Sequence, residues 1–300
     1  MAKYIVTGGA GFIGSHIVDA LVDRGDSVCI IDDLSGGSRD NVNKKAALYE
    51  VDIRNRVAIR KIMSGADGIF HLAALARVQP SILDPWLTND VNIDGTLAVL
   101  LEARDVGVKS FVYSASSSAY GDAVVLPAGE DLLPRPLSPY GLQKYVGEHY
   151  TRLFSLLYGM QTVSLRYFNV YGPRAKVDGS YSLVVSKFLA QRSRGEPMTV
   201  AGDGTNTRAY THVRDVVRAN LLAMEMKKVG KGEVINIGGN KEYSVLDIVG
   251  MIGGPITNIE KRVEPKRTLA DTSRAKTLLD WQPTIDFEDG IAEMKRLYSL

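Results

Sequence analysis

Seven residues, Gly8-Gly9-Ala10-Gly11-Phe12-Ile13-Gly14, limit the fold more than any other part of the 300-residue chain. They follow a short apolar run, residues 3–7, that reads as a buried strand, and they lead into Ile13, Ile17, Val18, Leu21 and Val22, a helical stripe ending near Gly25. Glycines 8, 11 and 14 fit G-x-x-G-x-x-G, and glycines 9, 11 and 14 fit G-x-G-x-x-G. Strand, glycine turn and helix in that order let the backbone approach a pyrophosphate held at the helix N-terminus. A second strand, residues 27–31, ends at Asp32-Asp33. A carboxylate there can accept hydrogen bonds from both ribose hydroxyls of NAD and repels the 2′-phosphate of NADP, so NAD is the expected cofactor and Asp32 its ribose ligand. Asp33 is expected to cap the following loop. Arg39, the one nearby cation that would favour NADP, lies far along that loop.

The alternation continues downstream. Residues 48–51 read as a strand ending in Asp52-Ile53, and residues 68–72 as another, followed by Ala73-Ala74, where small side chains let a ligand pass close to the backbone. Residues 56–63 and 85–104 read as crossover helices, and residues 109–114 and 161–167 as further strands. Such spacing implies an α/β fold, a doubly wound parallel sheet of Rossmann type. Asn92, inside the second crossover helix, reads as structural on composition alone. From about Gly172 the elements shorten between Gly179, Gly195, Pro197, Gly202 and Gly204. Residues 1–171 are therefore expected to form the NAD-binding domain, with 209–238 returning to it, and residues 172–300 a smaller α/β lobe for the substrate.

Between the fifth and sixth strands lie a serine cluster, Ser114 to Ser118, and Ser138-Pro139-Tyr140-Gly141-Leu142-Gln143-Lys144. Ser138 followed by Pro139 reads as N-cap and first position of a helix, because the hydroxyl accepts an orphan N–H and proline's missing donor costs nothing there. Tyr140 and Lys144, four residues apart, then share one helical face. A phenol with a pKa of about 10 is a poor base at neutral pH, and a nearby ammonium favours the phenolate. Lowering it by about three units takes roughly 4 kcal/mol, more than one exposed ion pair supplies, so a second positive charge such as an oxidised nicotinamide has to help. The same helix continues through Tyr145, Val146, Tyr150, Leu153, Phe154, Leu156 and Leu157, more apolar surface than one sheet-facing stripe requires, and a homodimer is the simplest source of a partner helix.

Composition excludes other classes. A net charge of +2 with 23% charged residues gives no field for nucleic acid, and no run of eighteen apolar residues is present to span a membrane. The single cysteine, Cys29, rules out an intrachain disulfide and a cysteine-based zinc site, and suits a reducing compartment. With a strand pattern opening the chain in place of a signal peptide, the cytoplasm is the expected location. His16, His71, His149 and His212 are scattered without metal-ligand spacing, so no metal is expected. Glu130-Asp131 is read as a loop pair without catalytic work.

Taken together, G-G-A-G-F-I-G at 8–14, Asp32, H-L-A-A at 71–74, S-A-S-S-S-A-Y-G at 114–121 and Tyr140-x-x-x-Lys144 resemble the extended short-chain dehydrogenase/reductase family. Within it, nearly the whole chain is similar to the nucleotide-sugar 4-epimerases, best known for acting on UDP-galactose and UDP-glucose. The resemblance implies Ser116 as the hydroxyl that hydrogen-bonds the sugar O4, Tyr140 as the base, and Lys144 as the residue that lowers the tyrosine pKa and holds the nicotinamide ribose. Expected around NAD are Gly8, Gly11, Phe12, Ile13, Gly14, Asp32, Asp33, Asp52, Ile53, Leu72, Ala73, Ala74, Asn92, Tyr140, Lys144 and Tyr167. Expected on the UDP-sugar are Ser116, Ser117, Asn169, Arg208, Arg267 and Thr268, with Arg208 and Asn169 matching the diphosphate contacts. An arginine fork suits phosphate oxygens.

Two departures stand out. Ala201 replaces the aromatic that many members carry before the G-D-G turn, and the later nucleotide-binding arginine falls on Arg262 or Arg267. The implied reaction is redox-neutral: Tyr140 takes the O4 proton while the C4 hydride passes to NAD, the 4-keto sugar turns over, and the hydride returns to its other face. Thr268, matching a position beside the sugar, leaves room for an N-acetyl group, so UDP-GlcNAc is a further candidate. The rivals are a 4,6-dehydratase or reductase of the same family and a non-catalytic NAD-binding sensor. Ser117 and Ser118 stand where family dehydratases carry an acidic pair and decarboxylases a Glu, so elimination lacks its general acid.

Overall fold

The structure, a computed structural model, describes residues 1–177, 183–260 and 265–300. Gly179 and Arg262 therefore lie outside the described residues. The strands in chain order are β1 (Lys3–Thr7), β2 (Ser27–Asp32), β3 (Ala47–Glu50), β4 (Gly68–His71), β5 (Ser110–Ser116), β6 (Gln161–Tyr167), β7 (Val170–Tyr171), β8 (Met198–Ala201), β9 (Thr207–Ala209), β10 (Thr211–His212), β11 (Lys231–Ile237), β12 (Glu242–Ser244), β13 (Ile256–Ile259) and β14 (Arg267–Thr268). The helices are α1 (Phe12–Asp23), α2 (Arg56–Met63), α3 (Val78–Leu83), α4 (Pro85–Asn89), α5 (Thr96–Asp105), α6 (Pro139–Tyr158), α7 (Val184–Ser193), α8 (Val213–Glu225), α9 (Val245–Ile252), α10 (Ser273–Leu279) and α11 (Phe287–Leu297).

Seven strands form one sheet in the order β11-β6-β5-β4-β1-β2-β3, every pairing parallel. Alternation along each strand divides the core. Val6, Ile30, Val112 and Val163 meet Ile17, Val18 and Leu21 of α1 and Val216 and Ala219 of α8 on one face. Ile5, Cys29, Ile31, Ile69 and Phe111 meet Ile59 and Met63 of α2, Val99 and Leu100 of α5 and Phe154 of α6 on the other. Strands with both faces covered read as continuous apolar runs, which is why β1, β2 and β4 were visible in the sequence. A third core joins Tyr171, Phe188, Leu189, Tyr210, Tyr243, Phe287, Ile291 and Met294 among the C-terminal elements.

Three elements differ from the sequence reading. The expected helix at 85–104 is α4, then a π-helical segment Asp90–Gly95, then α5. Thr96 Oγ1 donates to the Asn92 carbonyl at 2.7 Å, and the Asn92 amide turns away to hold the Leu75 backbone, accepting from its N–H at 2.8 Å and donating to its carbonyl at 3.3 Å. Such insertions in a helical ladder mark sites where a side chain is being aimed. Helix α3 was hidden by Pro80, which occupies the first turn, where a missing N–H breaks no helical bond. Strand β5 also runs on to Ser116, placing that hydroxyl at the carboxyl edge of the sheet.

Candidate active site

The glycine loop is shaped by contacts that leave no space for side chains. Gly8 has φ +69°, and a Cβ there would stand 2.7 Å from the Ala73 nitrogen; a Cβ on Gly14 would stand 2.2 Å from the Gly8 carbonyl oxygen. The N-cap of α1 is Gly11, which has no side chain to satisfy the first-turn amides at Phe12 and Ile13. Asp32, 6% exposed, accepts from Ala10 N–H at 2.9 Å and Leu34 N–H at 2.8 Å, one to each carboxylate oxygen. Burial pushes its carboxyl up and those two donors pull it back down. The tight cradle, the open helix terminus and a carboxylate with lone pairs left for ribose hydroxyls fit a dinucleotide.

Asp33 accepts from Ser35 N–H and Oγ, the loop-capping role. Arg39 pairs with Glu50. Asp52 is held below its usual range by Arg54, and Ile53 is buried against Gly95. Thr7 Oγ1 accepts from the Leu72 and Ala73 N–H groups at 3.2 Å each and meets His71 Nδ1 at 2.7 Å, while His71 Nε2 meets Thr96 Oγ1 at 3.0 Å. This buried chain, absent from the sequence reading, sets the Leu72–Ala73 backbone against Gly8. Ala74 follows it, partly buried. Asn92 gives its amide to Gln143 Oε1 at 2.8 Å as well as to Leu75, a bracing role in keeping with its composition.

Ser138 Oγ accepts from Gly141 N–H at 3.1 Å and Pro139 opens α6, so the chain delivers Tyr140 in its first turn. Tyr140 is half-buried, and the Ser116 side chain acts on its phenol to favour the ionised form. Lys144 is 4% exposed and its Nζ donates to the Ser114 carbonyl at 2.8 Å, 5.0 Å from the Tyr113 ring centroid. Burial brings the ammonium down to about 8, with Glu148 opposing. The electrostatics therefore differ from the simple pair read in the sequence. Burial holds the phenol above its ordinary value, against smaller lowering effects of Ser116 and Arg77. Arg77 carried no motif signal, since its only relation to Tyr140 is across the fold.

The substrate-side residues gather beyond β6. Asn169, at φ +39°, donates from Nδ2 to the Ala209 carbonyl at 2.9 Å and to Thr268 Oγ1 at 2.8 Å, joining two expected sugar contacts 99 residues apart. Arg208, paired in register with Thr268, packs its guanidinium on the Thr207 and Pro265 carbonyls at 2.8 and 2.5 Å. Arg267, next along β14, faces the other way and pairs with Glu242, its side chain 55% exposed. Tyr167 hydrogen-bonds Ser114 Oγ at 3.0 Å and Asn220 Oδ1 at 2.9 Å, and burial lifts its hydroxyl to about 12. Ser117 starts the short 3-10 turn Ser117–Tyr120 after β5. Glu130, far from a solvated loop acid, accepts from the Asn236 N–H at 2.8 Å with its side chain 5% exposed. Among the described residues, no group of three His, Cys, Asp or Glu is placed to hold a metal, and no helix is long and apolar enough to cross a membrane.

Residues 4–238, spanning the cradle, the Ser116-Tyr140-Lys144 group and Asn169, match the family model of the NAD dependent epimerase/dehydratase family. The chain belongs to that family. Its cofactor is NAD. The fold is shared with a Thermotoga maritima UDP-glucose 4-epimerase crystallised with UDP-glucose, at 38% identity and a TM-score of 0.94, covering 99% of this chain and 98% of that one. A UDP-glucuronate 4-epimerase of Thermodesulfobacterium geofontis is 35% identical over 97% of this chain and 94% of its own length. A UDP-glucuronic acid decarboxylase of Arabidopsis thaliana is 33% identical over 97% of this chain and 67% of its own length. These relatives mark the chain as an isomerase of the UDP-glucose 4-epimerase-like kind within the family.

Proposed function

We propose that this enzyme interconverts C4 epimers of a UDP-hexose, UDP-galactose and UDP-glucose first. The observation that carries the reading is the Ser116 hydroxyl, at the carboxyl edge of β5, acting on the Tyr140 phenol to lower its pKa, with Lys144 one turn along the same helix. In this reading Ser116 holds the sugar O4, and Tyr140 Oη takes the O4 proton and later returns it. Bound NAD supplies the acceptor and donor for the C4 hydride. The Gly8–Gly14 backbone, Asp32 and Lys144 would hold it, and Arg208 and Asn169 would meet the diphosphate. Ser117 and Ser118 give no carboxyl to protonate a leaving hydroxyl, which favours epimerisation over dehydration.

Thr268, held by Asn169, borders the expected sugar site, and its small side chain supports tolerance of UDP-GlcNAc; absence of UDP-GlcNAc turnover would remove that part. The free faces of Leu142, Leu153, Leu156 and Leu157 on α6 support a homodimer, to be checked by sedimentation. A buried, unpaired Cys29 suits the cytoplasm. The deciding experiment incubates purified protein with UDP-galactose and no added NAD, following C4 configuration by NMR. Formation of UDP-glucose is expected; no conversion of UDP-galactose, UDP-GlcNAc or UDP-glucuronate, even with NAD added, would overturn the reading.

A further inference from the structure

Asn236, next to the last residue of β11, is fully buried, and its side-chain amide meets three separate segments of the chain. Oδ1 accepts from the Tyr120 hydroxyl at 2.8 Å, while Nδ2 donates to the Ala128 carbonyl at 2.8 Å and the Asp271 carbonyl at 3.2 Å. The two carbonyls can only accept, so this orientation of the amide uses both of its hydrogens and leaves the oxygen for Tyr120. The backbone N–H of Asn236, on the outer edge of the sheet, goes to Glu130 Oε1 at 2.8 Å. Tyr120, Ala128, Phe168 and Ala270 pack together as a small apolar cluster beside these bonds, where exclusion of water strengthens them.

Each end of the amide leads to the site. Tyr120 closes the 3-10 turn that Ser116 caps, its Oγ accepting the Ser118 N–H at 3.1 Å. At the other end the chain forms a short bridge: Ala128 N–H donates to the Leu269 carbonyl at 2.8 Å, and Asp271 N–H to the Ala128 carbonyl at 3.0 Å. Thr268, one residue before Leu269, is the side chain that accepts from Asn169. One amide thus stands between the Ser116 turn and the Thr268–Asn169 pair. An aspartate here would keep an oxygen for Tyr120 but have no donor for either carbonyl.

We propose that Asn236 is a positioning residue of the sugar site, fixing the spacing between Ser116 and the Thr268–Asn169 wall. Its oxygen end holds the serine turn and its nitrogen end holds the wall. The proposal rests on the epimerase reading, which sets Ser116 at the sugar O4 and Thr268 beside the ring.

The test compares wild type, Tyr120→Phe and Asn236→Asp, each loaded with NAD. Tyr120→Phe removes only the hydroxyl and keeps the ring beside Phe168; Asn236→Asp removes only the two donors. Two measurements are made: kcat and KM with UDP-galactose, and amide hydrogen exchange without substrate. In Tyr120→Phe, kcat is expected to fall about fivefold with KM within about twofold of wild type, the worth of one buried neutral hydrogen bond. Exchange there quickens at residues 117–121 and not at 269–271. In Asn236→Asp, KM is expected to rise about fivefold with kcat within about twofold, and exchange quickens at Ala128 and Asp271 and not at residues 117–121. Equal losses of kcat in both variants with KM unmoved, the mark of a smaller folded fraction, overturn the proposal. So does exchange that quickens at both ends alike in each variant. Should Asn236→Asp fail to fold, Tyr120→Phe decides alone, and unchanged kcat and exchange in it overturn the proposal. Should wild type fail to turn over UDP-galactose, the epimerase reading falls, while the exchange arm still decides whether Asn236 holds the two segments separately.

Discussion

Lys144 carries a pH signature of its own. Burial draws its ammonium down to about 8, against the opposing charge of Glu148 one turn further along α6. The positive charge is therefore complete at neutral pH and is lost as pH rises through about 8, so kcat is expected to fall on the alkaline side near that value. The profile of Lys144→Met should lack this limb; an alkaline limb that persists in the variant would assign it to another group. Tyr140→Phe removes the proton acceptor while leaving the ring, and a loss of kcat of about 10²- to 10⁴-fold is expected with NAD still bound, read by NMR turnover and cofactor absorbance. Both residues were legible in the sequence because a helix places i and i+4 on one face. Ser81 was not, because its hydroxyl meets the Tyr140 N–H only across the fold, 59 residues away.

At the scale of elements, α6 is the beam of the site. Its start is local chemistry: Ser138 caps it, and Ser138→Ala is expected to cost about 1 kcal/mol and to loosen the turn that aims Tyr140. Its anchorage is not local. Glu148 meets Arg166 of β6 through two bonds, 2.8 and 2.7 Å, with both side chains 3% exposed. Removing one charge from such a pair strands the other, so Glu148→Gln is expected to lose about 3–5 kcal/mol in chemical denaturation. A loss below about 1 kcal/mol would mean that Arg166 finds other partners. Gln143 ties the same helix to Thr88 at 3.0 Å and to Asn92 at 2.8 Å, which explains why the crossover read as one long helix is broken at the π-helical segment.

Across the whole molecule, two buried histidines set the acid limit. His71, at the centre of the sheet's carboxyl edge, is brought by burial down to about 3, and His212, buried beside Tyr171, to about 4. Both values are depressed from the ordinary 6.5. Between pH 6.5 and those values the unfolded chain binds more protons than the folded one, so stability rises with pH there. The stabilisation is complete above about 6.5 and is lost as pH falls through 4 toward 3. Melting temperature by calorimetry is expected to be flat from pH 7 to 8 on this account and to drop steadily below about pH 6; a profile unchanged down to pH 4 would contradict it.

What the sequence alone determined was whatever short-range physics specifies: the period of the buried strands, the glycines where a Cβ would strike backbone, the cap of α6, and the tyrosine and lysine one turn apart. The tertiary structure alone decided where the charges and polar atoms go. It joined Asn169 to Thr268, turned Arg267 onto Glu242, gave Lys144 to the Ser114 carbonyl and set the Ser81 hydroxyl on the Tyr140 N–H. A chain's periodicity records which face of an element is buried, whereas the partner of a polar side chain depends on how distant elements meet in the sheet and its crossovers.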